Sequence, residues 1–438
     1  MVKSTQPTKP QYPSSTFTIP LTKHLTQSDI TAIMPTSSHP ILDRLDQLDA
    51  DYHGALLNDT IPFWLPRSLD TEFGGYLCAL DRDGTRLDTD KMLWQHGRFA
   101  WTLGKLYNTI EPRTEWIDAA RSGLDFITQH GFDPADGRMW FHVTRDGKPI
   151  RKRRYAFSEA FAAIAYAQFY KATGEDESNA RARSCFDRFV SHNRNPEGVQ
   201  PKFTDTRPLK AIGFPMIAIA VTQELRESSV LSEPEANAFI DECISEIERD
   251  FVKDDLEVVM ETVTPDGGIS DHFDGRMLNP GHAIEGAWFI MQEGRHRNHA
   301  PYIALGCKML DWMWKRGWDP EFGGILYNID LHGGPVQEYW HDMKFWWPQN
   351  ETVIATLLAW HLTGEDRFAT MHQQIHDWSY THFPDPEHGE WYGYLDRNGR
   401  VSSPLKGNLW KGPFHMPRMQ LVCGQLIQDI RTQQAQPS

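Results

Sequence analysis

FGGYLCALDRDG, residues 73–84, is the stretch from which the fold is read. Its glycine pair opens a run of alternating character that a second glycine turn closes, the pattern of a tight strand-turn-strand unit. The pattern returns as DGRMWFHVTRDG at 136–147, DGGISDHFDG at 266–275, FGGILYNIDLHGG at 322–334 and GEWYGYLDRNG at 389–399. NPEGVQPKF at 195–203 is a weaker copy that fills the one gap. The central glycines, at 74, 137, 198, 267, 323 and 389, therefore recur at an interval of roughly 60 residues, as expected of a repeated supersecondary unit.

Between the turns, apolar residues recur at helical spacing. From Lys91 to Tyr107 the stripe is Leu93, Trp94, Gly97, Trp101, Leu103 and Leu106; from Arg154 to Tyr170 it is Phe157, Phe161, Ile164, Ala165 and Phe169. Further helical segments are expected at Glu233–Phe251, Gly281–Glu293, Ala300–Lys315, Asn350–Leu362 and Glu365–His382. Each interval holds two helices and a short hairpin, so the expected fold is all-α: an (α/α)6 barrel of six helical hairpins with short β-hairpins at one mouth. A βαβ protein fits poorly, because the strands come in tight hairpins and no glycine-rich phosphate loop follows any of them. A linear solenoid is the better rival, since a period does not show ring closure. No Pro/Gly/Ser-rich linker divides residues 40–432, so residues 37–433 are expected to form one catalytic domain, preceded by a flexible extension at 1–36 rich in Ser, Thr and Pro.

The chain has 438 residues, with 44 Lys and Arg against 59 Asp and Glu, a formal charge of −15. That balance repels phosphate backbones and anionic lipid, which disfavours nucleic-acid and membrane-surface roles. No window reaches the apolar length of a membrane span; the most apolar stretch, Ala211–Val221, is short and carries Gly213 and Pro215. Five scattered cysteines without a CxxC pair fit a reducing compartment, and the N-terminus lacks the apolar core of a secretory signal, so a cytoplasmic location is expected. The partner is expected to be a small molecule.

Helical barrels collect their function at one mouth, so polar residues embedded in aromatic segments are the first candidates. Four segments qualify: Trp94–Trp101, Asn279–Phe289, His341–Glu351 and Lys411–Met419. In the second, Pro280 and Gly281 open a helix, His282 falls in its first turn, and Glu285 lies three residues on, placed to orient the imidazole. In the fourth, Gly412 and Pro413 are expected to start a helix with His415 in its first turn and Arg418 at the i+3 place. A helix N-terminus disfavours imidazolium, which keeps both histidines neutral near pH 7. Either alone reads as an interior structural histidine; the duplicated setting favours a paired acid/base role.

HxxE is also half of a carboxylate-bridged di-iron pattern, but no ExxH partner exists, so no metal is expected. His372 and His376 have zinc-like i,i+4 spacing without a third ligand and read as a solvated polar face. Arg98, between Trp94 and Trp101, would either bind a ligand oxyanion or pair with a carboxylate, and Glu351 invites the same two readings. Trp346-Trp347 and Trp391-Tyr392 lie beside turns, where sugar faces would stack.

From about Phe63 to Arg418 the chain resembles the N-acylglucosamine 2-epimerase family, on FWLPRSLDTEFGGYLCALDRDG, DTDKMLWQHGRFAW, FSEAF, NPGHAIEGAWF, DMKFWWPQNE, WYGYLDRNGRV and KGPFHMPR. The resemblance implies an (α/α)6 barrel, His282 and His415 as acid/base histidines, and Arg98, Glu285, Glu351 and Arg418 as substrate-binding or supporting residues; Trp347, from its place beside a turn, is expected to bind the sugar as well. AIGFPMIAI, at 211–219, lacks the extra histidine of the cellobiose 2-epimerase and mannose isomerase branches, so the implied activity is interconversion of N-acetylglucosamine and N-acetylmannosamine. The chemistry requires no cofactor. The resemblance implies ATP as an allosteric activator, although no Walker motif is present, and a homodimer. The alternatives are an aldose-ketose isomerase or a 2-epimerase on an unacylated sugar such as mannose or glucose, a glycoside hydrolase on the same barrel using Asp271 and Glu285, and a non-enzymatic binding protein.

Overall fold

The computed structural model describes residues 41–153, 155–195 and 202–435. The expected extension at 1–36 and the weak repeat at Gly198 lie outside the described residues. A helical run from Leu45 ends in α1 (Ile61–Ser68). Five hairpins follow: α2 (Leu93–Thr109) with α3 (Thr114–His130), α4 (Phe157–Thr173) with α5 (Asp176–Arg194), α6 (Gly213–Glu227) with α7 (Glu233–Glu246), α8 (Pro280–Arg297) with α9 (Ala300–Gly317), and α10 (Trp346–Thr363) with α11 (Asp366–His382). The last helix is α12 (His415–Ala435).

The even-numbered helices form an inner ring in which each packs on the next, α2 on α4 through to α10 on α12, and α12 returns to α2. Each carries its hairpin partner on the outside, and the helical run from Leu45 serves as the outer layer for α12. This is the (α/α)6 barrel, closed rather than linear. Covered on both sides, the inner helices are buried almost all round: α4 from Ser158 to Phe169 and α10 from Trp346 to Trp360. Gly97 permits the close α2–α4 approach, since a Cβ there would lie 2.6 Å from the carbonyl carbon of Phe161.

The glycine turns have the conformation that demanded glycine: φ is +76° at Gly74, +66° at Gly137, +85° at Gly267, +72° at Gly323 and +76° at Gly389. Three of them share a clip. The carbonyls of Asp70, Asp319 and Asp385 accept the amide four residues on, at 2.9, 2.8 and 2.9 Å. Their carboxylates meet the buried ammonium groups of Lys91, Lys344 and Lys406 at 2.9, 3.0 and 3.1 Å. Each also takes an arginine from the following hairpin: Arg145, Arg397 and Arg82.

Short strands stitch neighbouring repeats at the N-terminal ends of the inner helices. Lys91–Met92 pairs with His142–Val143, Lys210–Ala211 with Thr262–Val263, Met277–Leu278 with Ile329–Asp330, and Lys344–Phe345 with Tyr394–Leu395, all antiparallel. This end of the barrel is the mouth. No described helix is long and apolar enough to cross a membrane.

Three local expectations are corrected. α10 begins at Trp346, with Pro348 tolerated in its first turn, so Glu351 lies inside the helix rather than at its start. α12 begins at His415 rather than at Gly412-Pro413. His372 and His376 are each 1 % exposed, not solvated: His372 Nε2 is 3.0 Å from the Tyr52 hydroxyl, and His376 stacks on Tyr380.

Candidate active site

The inner helices surround one cavity of about 1680 Å³, open at the mouth and lined along the length of α2, α6, α8 and α12. His282, His415, Arg98, Glu285, Arg418 and Trp347 all stand on its wall.

His282 is set by the start of α8, where the Asn279 side chain accepts the His282 amide at 2.9 Å and Pro280 occupies the first turn. Its Nδ1 lies 3.0 and 3.1 Å from the two carboxylate oxygens of Glu261, just before the Thr262–Val263 strand. His415, the first residue of α12, has Nδ1 2.7 Å from Glu351 Oε1. Both Nδ1 atoms face carboxylates, the closer contact at His415 being Glu351 at 2.7 Å with an Arg418 nitrogen at 3.2 Å, and each Nε2 meets no hydrogen-bond partner among the described residues. Trp347 neighbours both rings, its centroid 5.0 Å from His282 and 5.8 Å from His415.

The two imidazoles, both expected to be neutral, sit in opposed electrostatic surroundings. Burial pulls His282 down, but the facing Glu261 carboxylate outweighs it and leaves the ring raised above its ordinary value. Burial, joined by the Arg418 and Arg98 guanidinium groups, holds His415 well below. The surroundings thus favour the imidazolium form at His282 and the neutral form at His415.

Arg418 is the keystone behind His415. Its guanidinium pairs with Glu285 and lies 2.6 Å from Glu351, whose other oxygen accepts from Trp288 Nε1 at 2.8 Å. Burial works against the charge on Arg418, but the two carboxylates prevail and raise its pKa. Glu285 therefore does not orient His282; it is bound to Arg418, because on α8 its side chain faces α12 rather than the helix start. Glu351 is fully buried behind His415 and off the cavity wall, which leaves it a positioning role rather than contact with substrate. Glu285, Glu351 and His415 converge closely enough to hold a cation, but the Arg418 guanidinium already lies among them and pairs with both carboxylates.

Arg98 is a buried cation without a carboxylate or hydrogen-bond partner among the described residues, and its Nε is unsatisfied. Its guanidinium lies 4.1, 4.3 and 4.8 Å from the ring centroids of Phe161, Trp94 and Phe414. Of the two readings of Arg98, pairing with a carboxylate is not what these contacts show, and the guanidinium lines the cavity without one. Trp391 and Tyr392, by contrast, are core: Trp391 stacks on Phe383 at 5.3 Å, and neither residue lines the cavity. Asp271 is bound to Arg276 at 2.8 Å on an exposed turn, away from Glu285, so that carboxylate pair does not form.

Glu261 is the functional candidate that sequence reasoning missed. The available signal was its place at the start of a strand in one of the recurring hairpins, whose tips build the mouth, but its partner lies 21 residues on, beyond the turn.

A profile of the family described as N-acylglucosamine 2-epimerase (GlcNAc 2-epimerase) matches residues 74–415. The chain belongs to the N-acylglucosamine 2-epimerase family. It is 34% identical to the N-acylglucosamine 2-epimerase of Mus musculus over 382 residues, covering 85% of this chain and 90% of that one. The Homo sapiens protein of the same name is 32% identical over 384 residues, 85% of this chain and 89% of its own. Among solved structures, cellobiose 2-epimerase from Spirochaeta thermophila DSM 6192 superposes with a TM-score of 0.76 over 91% of this chain and 100% of that chain, at 21% identity, a likeness of fold. As a member of the N-acylglucosamine 2-epimerase family, the chain is an isomerase of the carbohydrate epimerase class.

Proposed function

We propose that this protein interconverts N-acetylglucosamine and N-acetylmannosamine by two-base proton transfer at carbon 2 of the open-chain sugar. The observation that carries the reading is the pair of imidazoles on one cavity wall, flanking Trp347, with Nδ1 of each held by a different carboxylate. The names of the mouse and human relatives support the substrate class.

Carbon 2 becomes acidic only when the ring opens and the aldehyde is polarised. In one direction the neutral His415 Nε2 takes the carbon 2 proton while the His282 imidazolium supplies a proton to the opposite face. In the other direction the two exchange roles. Arg98, lacking an anion of its own, stabilises the oxygen charge of the enediolate between the two transfers. Glu261 and Glu351 fix each ring's tautomer. The steps move protons only, so no redox cofactor enters; ATP is an activator to be tested in the same assay. Five buried, unpaired cysteines support a reducing, cytoplasmic setting, and the homodimer implied by the family resemblance is read by sedimentation.

The test is incubation with N-acetylmannosamine, mannose, glucose and cellobiose in deuterium oxide, with and without ATP, followed by NMR. Deuterium at carbon 2 accompanied by N-acetylglucosamine is expected, and His282→Asn and His415→Asn should each abolish epimer formation. A ketose product would reassign the enzyme as an aldose-ketose isomerase. Turnover of unacylated sugars alone would refute the substrate assignment.

A further inference from the structure

A buried ion pair stands at the approach to His415. Lys411, in the loop that leads into α12, and Glu390, beside Gly389 in the turn after α11, are each 1 % exposed, and the Lys411 ammonium pairs with the Glu390 carboxylate. Burial pulls the ammonium down, and Glu390 is what opposes it. Glu390 is not free to follow the lysine. Its φ is +54°, a left-handed conformation in a residue other than glycine. Its amide donates to the Asp59 carboxylate at 3.0 Å, and its own carboxylate accepts from Trp64 Nε1 at 3.1 Å and from the Trp391 amide at 2.8 Å. Backbone strain of this kind persists where the surroundings over-determine it, and it gathers at working sites.

Lys411 in turn gathers the loop from Lys406 to Phe414. Its ammonium also donates to the Lys406 carbonyl at 3.0 Å, and its stem passes Gly393 so closely that a Cβ there would lie 2.7 Å from Lys411 Cδ. The same loop is tied to α2: Gln95 Nε2 donates to the Trp410 carbonyl and the Thr102 hydroxyl to the Pro413 carbonyl, each at 3.0 Å. Arg98 lies between those two donors on α2, so the loop that delivers His415 is clamped between the helix of Arg98 and the fixed carboxylate of Glu390. A fully desolvated ion pair adds little stability over an apolar pair of the same volume, but it fixes where its two ends lie.

We propose that Glu390 and Lys411 are positioning residues for the reaction: their pairing sets the loop so that His415 meets carbon 2 of the sugar at the place where Arg98 meets its oxygen. This rests on the function proposed above. The test compares the parent with Lys411→Met, Glu390→Gln and the double variant, by calorimetry and by steady-state epimerase kinetics. Each single variant strands a buried charge and should melt lower. The double variant removes both charges and should recover the parent's melting temperature to within a few °C. Its kcat should nevertheless stay down by about 10–100-fold with KM within about twofold, because the base is displaced while the contacts that bind the sugar remain. Gly393→Ala keeps both charges and pushes the Lys411 stem aside; it should show the same split, and it serves if the charge variants do not fold. A double variant that regains the parent's kcat together with its melting temperature would show that the pair serves the fold alone, and so would a loss carried by KM; either result overturns the positioning role while leaving the epimerase reading intact. Absence of epimerase activity in the parent would defeat both.

Discussion

Arg98→Met separates a cation kept for chemistry from one kept for folding. Burial first, then the like charge of Arg418, lower the Arg98 guanidinium from its ordinary value to about 9. A reduction of that size corresponds to roughly 5 kcal/mol carried by the charged form. The three aromatic rings at 4.1–4.8 Å return part of this, at about 0.5–1 kcal/mol each and more where water is excluded, so the net cost of the charge is roughly 1–3 kcal/mol. Methionine fills nearly the same volume without a charge. The variant should therefore melt a few °C higher than the parent in differential scanning calorimetry. Its epimerase kcat should fall about 10²–10³-fold, the usual cost of losing one donor to a developing oxyanion. Full activity in Arg98→Met would refute the oxyanion role. A melting temperature that falls together with activity would show that the arginine supports the fold, and the reasoning would fail on that side.

In Glu261→Gln the carboxylate that raises His282 is gone while burial persists. Imidazolium is then disfavoured, and the limb of the kcat/KM profile set by His282 should move to lower pH, with kcat reduced about 10²-fold. A profile unchanged in position would mean that His282 does not titrate in the rate. Glu351→Gln removes the anion held by His415 Nδ1 and should lower kcat about 10²–10⁴-fold with little change in KM, measured by steady-state kinetics on protein whose circular dichroism matches the parent. Asp319→Asn strands the buried Lys344 ammonium and should cost about 3–5 kcal/mol by urea denaturation, with turnover per folded molecule retained. Burial opposes ionisation of Asp319, but Arg397 and Lys344 hold its carboxyl well below the ordinary range. Its contribution is thus complete above about pH 4 and lost as pH falls through the depressed folded value, so the gap between parent and variant should narrow in acid.

What could be read before any coordinates was what neighbouring residues dictate. Gly74, Gly137, Gly267, Gly323 and Gly389 are required by left-handed turns, and such a requirement is written in the residue itself. The Asn279-Pro280-Gly281 run announces a helix start, and with it the placement of His282. The outer helix Asp176–Arg194 escaped because charge dominates it and only a thin stripe, Ala182, Cys185, Phe186 and Phe189, faces inward. Glu261 and the clip carboxylates escaped for another reason: Asp70 meets Lys91 in its own repeat and Arg145 in the next, and spacing along the chain carries no trace of such meetings. Glu285 misled because i+3 proximity to His282 was real while its charge partner lay across the barrel on α12.

The ring is shut by α12, which settles between α10 and α2 over the helical run from Leu45. That same helix delivers His415 and Arg418. The element that shuts the ring is thus also the one that completes the cavity wall: without it the described inner ring is open and keeps His282 but neither His415 nor Arg418.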